Sequence, residues 1–434
     1  MKKIFYYLLP VFIVLSSCTK GSPVFPQQQA KTDSRLITDW IGLHLQVIRN
    51  TTGVTHIAFS RHFSYTGIAL YEALVKGAPQ YKSITSNLNG NVQIPVPVKG
   101  NSIFYPAAAN AAIAGMLRFF YSVKPENITS IDSLEQVYVA KFTADANEHI
   151  DLEASIDFGK KVAAAIIEWS KEDGAANANI PYTPLGEGYW EPTPAAQAPA
   201  NMPGWGNNKT ILSGSINGTL PGAPIPFSKN PGTAFHAMVK EVYDVSQSLT
   251  ATQKSIALFW DDAPNGKYVT AFGHWFSILK QVLQKEKTPL MKAAEAYLRL
   301  GITMNDATIS CWKGKYTYHQ IRPVTYIRKH LGYGEWSPVI STPPHPEYSA
   351  AHATISASAG FALESVFGAN YSFTDHTYDV IGMNPRNFSS FEAAGKEAGM
   401  SRLYGGIHYR PSIETGNVFG KKVGANVLNL LKTH

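Results

Sequence analysis

Residues 315–323 read KYTYHQIRP, residues 346–352 read PEYSAAH, and residues 401–408 read SRLYGGIH. Together they offer Lys315, Arg322, Ser401 and Arg402, with the histidines His352 and His408. A guanidinium grips an oxyanion through two parallel hydrogen bonds, and an ammonium adds a point charge. Each segment alone has a plainer reading, as a surface Lys/Arg pair or a histidine packed in a core. Taken together they read otherwise, because buried like charges repel unless an anion neutralises them. The expected site is therefore one for an oxyanion, with an imidazole beside it for acid/base work near neutral pH.

Local patterns suggest how the groups are carried. If the helix through Trp312 continues, Lys315 and Arg322 stand seven residues apart on one face, and Pro323 ends that helix at Arg322. Ser349 is the expected N-cap of a helix over 350–367, which puts His352 in a first turn where free amides favour an anion. A helix over 387–404 ends at Gly405 and Gly406, with Arg402 in its last turn and His408 just beyond. The last helix, over 413–431, carries Gly416, Gly420 and Gly424. Three glycines cost roughly 1 kcal/mol each in a helix, so a close helix contact is expected to offset them. Lys421 and Lys422 rule out a membrane-spanning reading of that glycine pattern.

Working outward, apolar spacing predicts helices over 36–48, 58–76, 105–121, 132–147, 152–171, 234–248, 251–261, 268–284 and 287–312. Asp261 and Asp262 close one of these at the end where the dipole disfavours anions; a loop cap is the simpler reading and a metal site the other. Residues 174–231 break the pattern with many prolines and glycines, and read as an ordered wrap or as a linker between two domains. No segment alternates with period two, so the fold class is all-α. The count of about ten helices is compatible with two stacked bundles.

At the other end, Lys2 and Lys3 precede an apolar run over 4–15 that is too short for an ordinary membrane span and reads as a signal peptide. It closes on LSSC at 15–18, which resembles a bacterial lipobox; this implies cleavage before Cys18 and a lipid on its sulfur, the alternative being a plain secretory leader. Residues 19–34 read as a flexible tether and 35–434 as the helical domain, with its oxyanion site in 300–434. Only Cys311 then remains, so no intrachain disulfide is available despite the exported destination. The formal charge of +7 contains no run of five basic residues, which argues against a nucleic-acid face. The expected location is the periplasmic face of a bacterial outer membrane; the oligomeric state is not legible.

The three segments, in this order, resemble the signature of the superfamily that joins type 2 phosphatidic acid phosphatases, bacterial acid phosphatases and vanadium-dependent haloperoxidases. The first segment matches fully. The second keeps His352 but has Ser349, Ala350 and Ala351 where Pro, Ser and Gly are usual. The third keeps Ser401, Arg402 and His408 but has Ser412 in place of an aspartate. Stretches such as FWDD at 259–262, GHW at 273–275 and PHPEY at 344–348 look like the haloperoxidase branch. The resemblance implies that Lys315, Arg322, Ser401 and Arg402 hold vanadate or phosphate, that His352 is acid/base, and that His408 ligates vanadium or attacks phosphorus. It implies a haloperoxidase using vanadate, hydrogen peroxide and halide, or a phosphatase forming a phosphohistidine on a phosphomonoester. Losing the carboxylate at Ser412 should harm a nucleophilic histidine more than a metal ligand, which favours the vanadate enzyme. A binding protein without turnover is the reading from another class, given Ala350 and Ser412.

Overall fold

A computed structural model of the chain describes residues 34–51, 53–90, 92–98, 102–146, 150–193 and 197–434. The leader, Cys18 and nearly all of the tether expected above lie outside the described residues. Thirteen α-helices are present among the described residues: α1 (Arg35–Asn50), α2 (Ala58–Val75), α3 (Tyr105–Tyr121), α4 (Pro125–Asp145), α5 (Leu152–Ser170), α6 (Ala234–Gln247), α7 (Ala251–Phe259), α8 (Thr270–Glu286), α9 (Leu290–Tyr318), α10 (Pro323–His330), α11 (Ala351–Phe367), α12 (Phe391–Tyr404) and α13 (Arg410–Leu430). The all-α class stands. Proline opens α3, α4, α10 and α13 in their first turn, where its missing N–H has no partner to lose. That is why α4 begins at Pro125, a full turn and more before the apolar spacing became readable at 132.

The centre of the molecule is α9. Its 29 residues span about 43 Å, and nearly all of them from Ala293 to Trp312 are buried. On one side α9 packs against α2, which joins α3 and α5, with α4 packed on α3; on the other it meets α11 and α13, which join α12. A smaller apolar cluster of Phe235, Met238, Val242, Tyr326, Ile327, Leu403 and Tyr409 ties α6 and α10 to the start of α13.

The irregular segment at 174–231 is tied to α9 along its length, by Trp312 and Tyr316 on the Asn201 carbonyl, Ser310 on Thr219 and, at its centre, one buried carboxylate. Asp306 accepts from the Ile211 amide at 2.8 Å, the Leu212 amide at 3.3 Å and the Ser215 hydroxyl at 2.6 Å. Burial nevertheless pushes Asp306 up to about 6.

Sequence spacing misjudged two places. A two-stranded antiparallel hairpin, β1 (Phe373–Asp375) with β2 (Arg386–Phe388), occupies residues too short to show alternation, and α12 starts only at Phe391, capped by Ser390 on the Ala393 amide. The other is α9, which ends at Tyr318 with His319 left-handed at φ 50°, so Lys315 and Arg322 are not two turns apart on one helix. Arg322 is instead the extended N-cap of α10.

The glycines of α13 do meet a neighbour closely. A Cβ on Gly416 would stand 2.9 Å from the Ala350 carbonyl oxygen, one on Gly420 would overlap the Thr354 backbone, and one on Gly424 would stand 3.0 Å from the Phe361 ring. This contact brings the first turns of α11 and α13 together. No helix of the described residues is long and apolar enough to cross a membrane.

Candidate oxyanion site

The segment between α10 and α11 is threaded by the two cations of the first motif. Lys315 Nζ donates to the carbonyls of Pro346 and Glu347 at 2.9 Å and of Ser349 at 2.7 Å. All three ammonium protons are thus used, and the lysine offers an oxyanion its charge unless a carbonyl is displaced. Arg322 donates from Nε to the His345 carbonyl at 2.9 Å, from Nη1 to the Ile407 carbonyl at 2.8 Å and from Nη2 to His345 Nδ1 at 3.0 Å. Burial brings Lys315 down to about 8 and Arg322 down to about 10.

Arg322 also fixes His408. Its Nη1 lies 3.1 Å from His408 Nε2, and a guanidinium can only donate, so Nε2 carries the lone pair and Nδ1 the proton. That Nδ1–H points at Glu347 Oε1, 2.7 Å away, and the same oxygen accepts the Tyr409 amide at 3.1 Å. The absence of an acid at 412 is therefore made good by Glu347. This corrects the argument that His408 lacks a carboxylate, and removes the preference built on it. Burial raises Glu347 to about 7 against the pull of Lys315 and Arg322. Burial, then Arg322 and Lys315, hold His408 well below the usual imidazole range. The Ser412 hydroxyl lies beside the Glu347 carboxylate but completes no aligned hydrogen bond.

The second half of the site comes from α12 and from the turn after α7. Arg402 Nε donates to Ser401 Oγ at 2.9 Å, while Nη2 donates to the Trp260 carbonyl. The Ser401 proton goes to the Ala398 carbonyl at 2.6 Å, so this hydroxyl acts on Arg402. Arg402, brought down to about 10 by burial, depresses both His352 and His408 through its charge, so the two halves share one field. Lys315, Arg322 and Arg402 are fully buried and, among the described residues, none has a carboxylate partner within ion-pair distance.

His352 sits in the first turn of α11, whose N-cap is Ala350 and not Ser349; no side chain caps the turn, so its amides stay available. With a side chain 19% exposed, His352 is the site group that reaches toward solvent, whereas His408 is 3% exposed. Burial and Arg402 bring it down to about 4, against the pull of Asp262.

Asp262, left above as a loop cap or a metal ligand, is neither. It is left-handed at φ 53° and buried, with Oδ2 3.3 Å from His352 Nε2 and Oδ1 2.9 Å from His274 Nδ1. The Tyr378 hydroxyl also donates to Oδ1. The other nitrogen of His274 meets Asp375 Oδ2 at 2.8 Å, on β1. Flanked by two carboxylates, His274 is raised to about 9 although burial opposes it, and the His274 charge and hydrogen bond hold Asp262 well below the usual carboxylate range despite its own burial. Sequence reasoning missed Glu347, His274 and Asp375 as members of the site. The sequence clues were the acid beside Pro346 and the histidine twelve residues after Asp262.

Comparison with known proteins fits this arrangement. The model of the VCPO second helical-bundle domain matches residues 295–434. A bacterial vanadium-dependent iodoperoxidase superposes with a TM-score of 0.84 at 32% identity, covering 92% of this chain and 97% of that one. The chain belongs to the vanadium-dependent haloperoxidase family. Two structures of bacterial vanadium-dependent chloroperoxidase, holo and apo, share the haloperoxidase fold at TM-scores of 0.63 and 0.65 and 16% identity, covering 87% and 88% of this chain and 93% and 96% of theirs. No curated protein matches the chain.

Proposed function

We propose that this chain is an exported, lipid-anchored haloperoxidase that binds vanadate and oxidises halide with hydrogen peroxide, iodide being the first halide to test. The observation that carries the reading is the cluster of three buried cations that, among the described residues, have no carboxylate partner, with His408 Nε2 held in their field by Arg322. Such cations fit a tetrahedral oxyanion, and so do the open amides at the start of α11. The iodoperoxidase relative points to iodide.

When bound, vanadate supplies the activation of peroxide and the transfer of oxygen to halide. The chain's own groups do the rest. Arg402, and Arg322 once its Nη1 lets go of His408 Nε2, would hold oxyanion oxygens and Lys315 would add charge; His408 would present the freed Nε2 as the ligand, with Nδ1–H held by Glu347. His352, neutral at neutral pH, keeps its Nε2–H toward Asp262 and would take a proton at Nδ1 from entering peroxide, and Asp262 stabilises the cation that forms. Among the site groups named here, His352 has the most exposed side chain and is the one an entering molecule would meet first.

A phosphatase with His408 as nucleophile is the second reading. It is favoured by one observation, the Glu347 carboxylate on His408 Nδ1. The test is to strip the purified full-length protein of vanadium, add orthovanadate, and follow iodide oxidation with peroxide beside p-nitrophenyl phosphate hydrolysis without vanadate. Vanadate-dependent oxidation is expected. Hydrolysis without any halide oxidation would overturn the proposal, and loss of neither binding nor turnover in His408→Ala would remove His408 from it.

A further inference from the structure

We infer that Glu347 is the positioning carboxylate of His408, reaching it from the strap before α11. The inference rests on the oxyanion reading of the site but is separable from it.

Four observations carry it. His408 Nδ1 and Glu347 Oε1 are 2.7 Å apart, and Arg322 on Nε2 leaves Nδ1 as the donor. Glu347 is fully buried, and its backbone is fixed at both ends: its amide donates to the Gln320 carbonyl at 2.9 Å and its carbonyl accepts from Lys315. The carboxylate cannot swing away, because Oε1 also holds the Tyr409 amide, one residue beyond the imidazole. Finally, Ser412 stands in the first turn of α13, 2% exposed, with its hydroxyl beside the same carboxylate and no hydrogen bond of its own. An acid at 412 would enter the space that the Glu347 side chain fills.

Glu347 is placed to do two things. It keeps the Nδ1–H bond, and hence the ring plane, fixed, and its negative charge raises the basicity of Nε2 toward whatever binds there. It also links the turn that carries His408 to Lys315 and Arg322, both of which bond to the strap that carries Glu347.

The test uses the full-length protein with Glu347→Gln, Glu347→Ala, and Glu347→Ala combined with Ser412→Asp. Two readouts are taken. One is the low-field Nδ1 proton of His408 in protein labelled at histidine nitrogen, assigned by its loss in His408→Gln. The other is affinity for orthovanadate and, separately, for inorganic phosphate, by calorimetry. In Glu347→Ala the low-field signal should vanish and oxyanion affinity fall about 10- to 100-fold, the range typical for groups that orient a metal ligand. Glu347→Gln keeps the side-chain volume and an acceptor, so the proton signal should persist with a smaller loss of affinity. The double variant should recover both the signal and most of the affinity, which a purely structural role for Glu347 would not produce. An unchanged His408 signal in Glu347→Ala, or a folded double variant that recovers neither readout, overturns the inference. Failure of the wild-type protein to bind either oxyanion would instead remove the oxyanion reading, while the proton signal still decides the role of Glu347.

Discussion

Gly420→Ala sets helix propensity against packing, and the two predict opposite signs. Alanine is favoured over glycine inside a helix by about 1 kcal/mol, so propensity alone would stabilise α13. The added Cβ, however, would overlap the Thr354 carbonyl oxygen and stand 2.8 Å from its carbonyl carbon and 3.0 Å from its Cα. Carbon atoms rest about 3.5 to 4.0 Å apart and the oxygen is closer still, so α11 and α13 must separate by roughly 1 Å. Backbone cannot turn aside as a side chain can. Overpacking of this kind costs about 1 to 3 kcal/mol, and we expect the net change to be a loss. With an unfolding entropy of about 2.1 cal/mol/K per residue over some 400 residues, that is a fall in melting temperature of about 1 to 4 °C. The site should suffer more. Thr354 is two residues from His352 and α13 begins two residues after His408, so the separation opens the distance between the two histidines. A misplacement near 1 Å can cost about 10²-fold in rate. Thermal melts and orthovanadate titration of Gly420→Ala measure both effects. Gly424→Ala meets only the Phe361 ring, which can give way, and should lose less. A Gly420→Ala protein that melts at or above the wild type would refute the packing argument.

Replacing His274 with alanine leaves Asp262 and Asp375 buried without their shared partner, for an expected loss of about 3 to 5 kcal/mol in chemical denaturation. His44, His56 and His352 are held at about 3, 4 and 4, each first by burial. Their folded values lie below the unfolded one, so the unfolded chain binds more protons and stability falls as pH drops from 6.5 toward 4, by on the order of 3 kcal/mol per histidine. His274 has the opposite sign: its contribution is complete below pH 6.5 and is lost as pH rises through about 9, so melting curves should be sought across both windows. Asp306→Ala leaves the Ile211 and Leu212 amides and the Ser215 hydroxyl unpaired; a loss of about 1 to 3 kcal/mol per unpaired group is expected, with faster proteolysis within 174–231 as the check.

The three motifs could be read in sequence because each rests on local chemistry. A cation before a helix-starting proline, a histidine at a helix start and an arginine at a helix end are signals within a dozen residues. Glycines at 416, 420 and 424 announced a close helix contact for the same reason, and α11 supplies it. Boundaries were less legible where a turn interrupts a run that still reads as helical, as at His319 between Lys315 and Arg322.

The sequence by itself determined that the chain is helical, and it named three cations and two histidines of the last third that the fold gathers at one candidate site, while Asp262 and His274 join them from earlier in the chain. Only the tertiary structure decided which carboxylates serve them. Glu347 reaches His408 across 61 residues, and Asp375 reaches His274 across 101, from a hairpin too short to leave a periodic trace. A carboxylate bonded to a neighbour on its own helix follows a fixed spacing, whereas one bonded across the core depends on where two helices and a strap cross. That crossing is set by packing over the whole interior, and no single stretch of sequence encodes it.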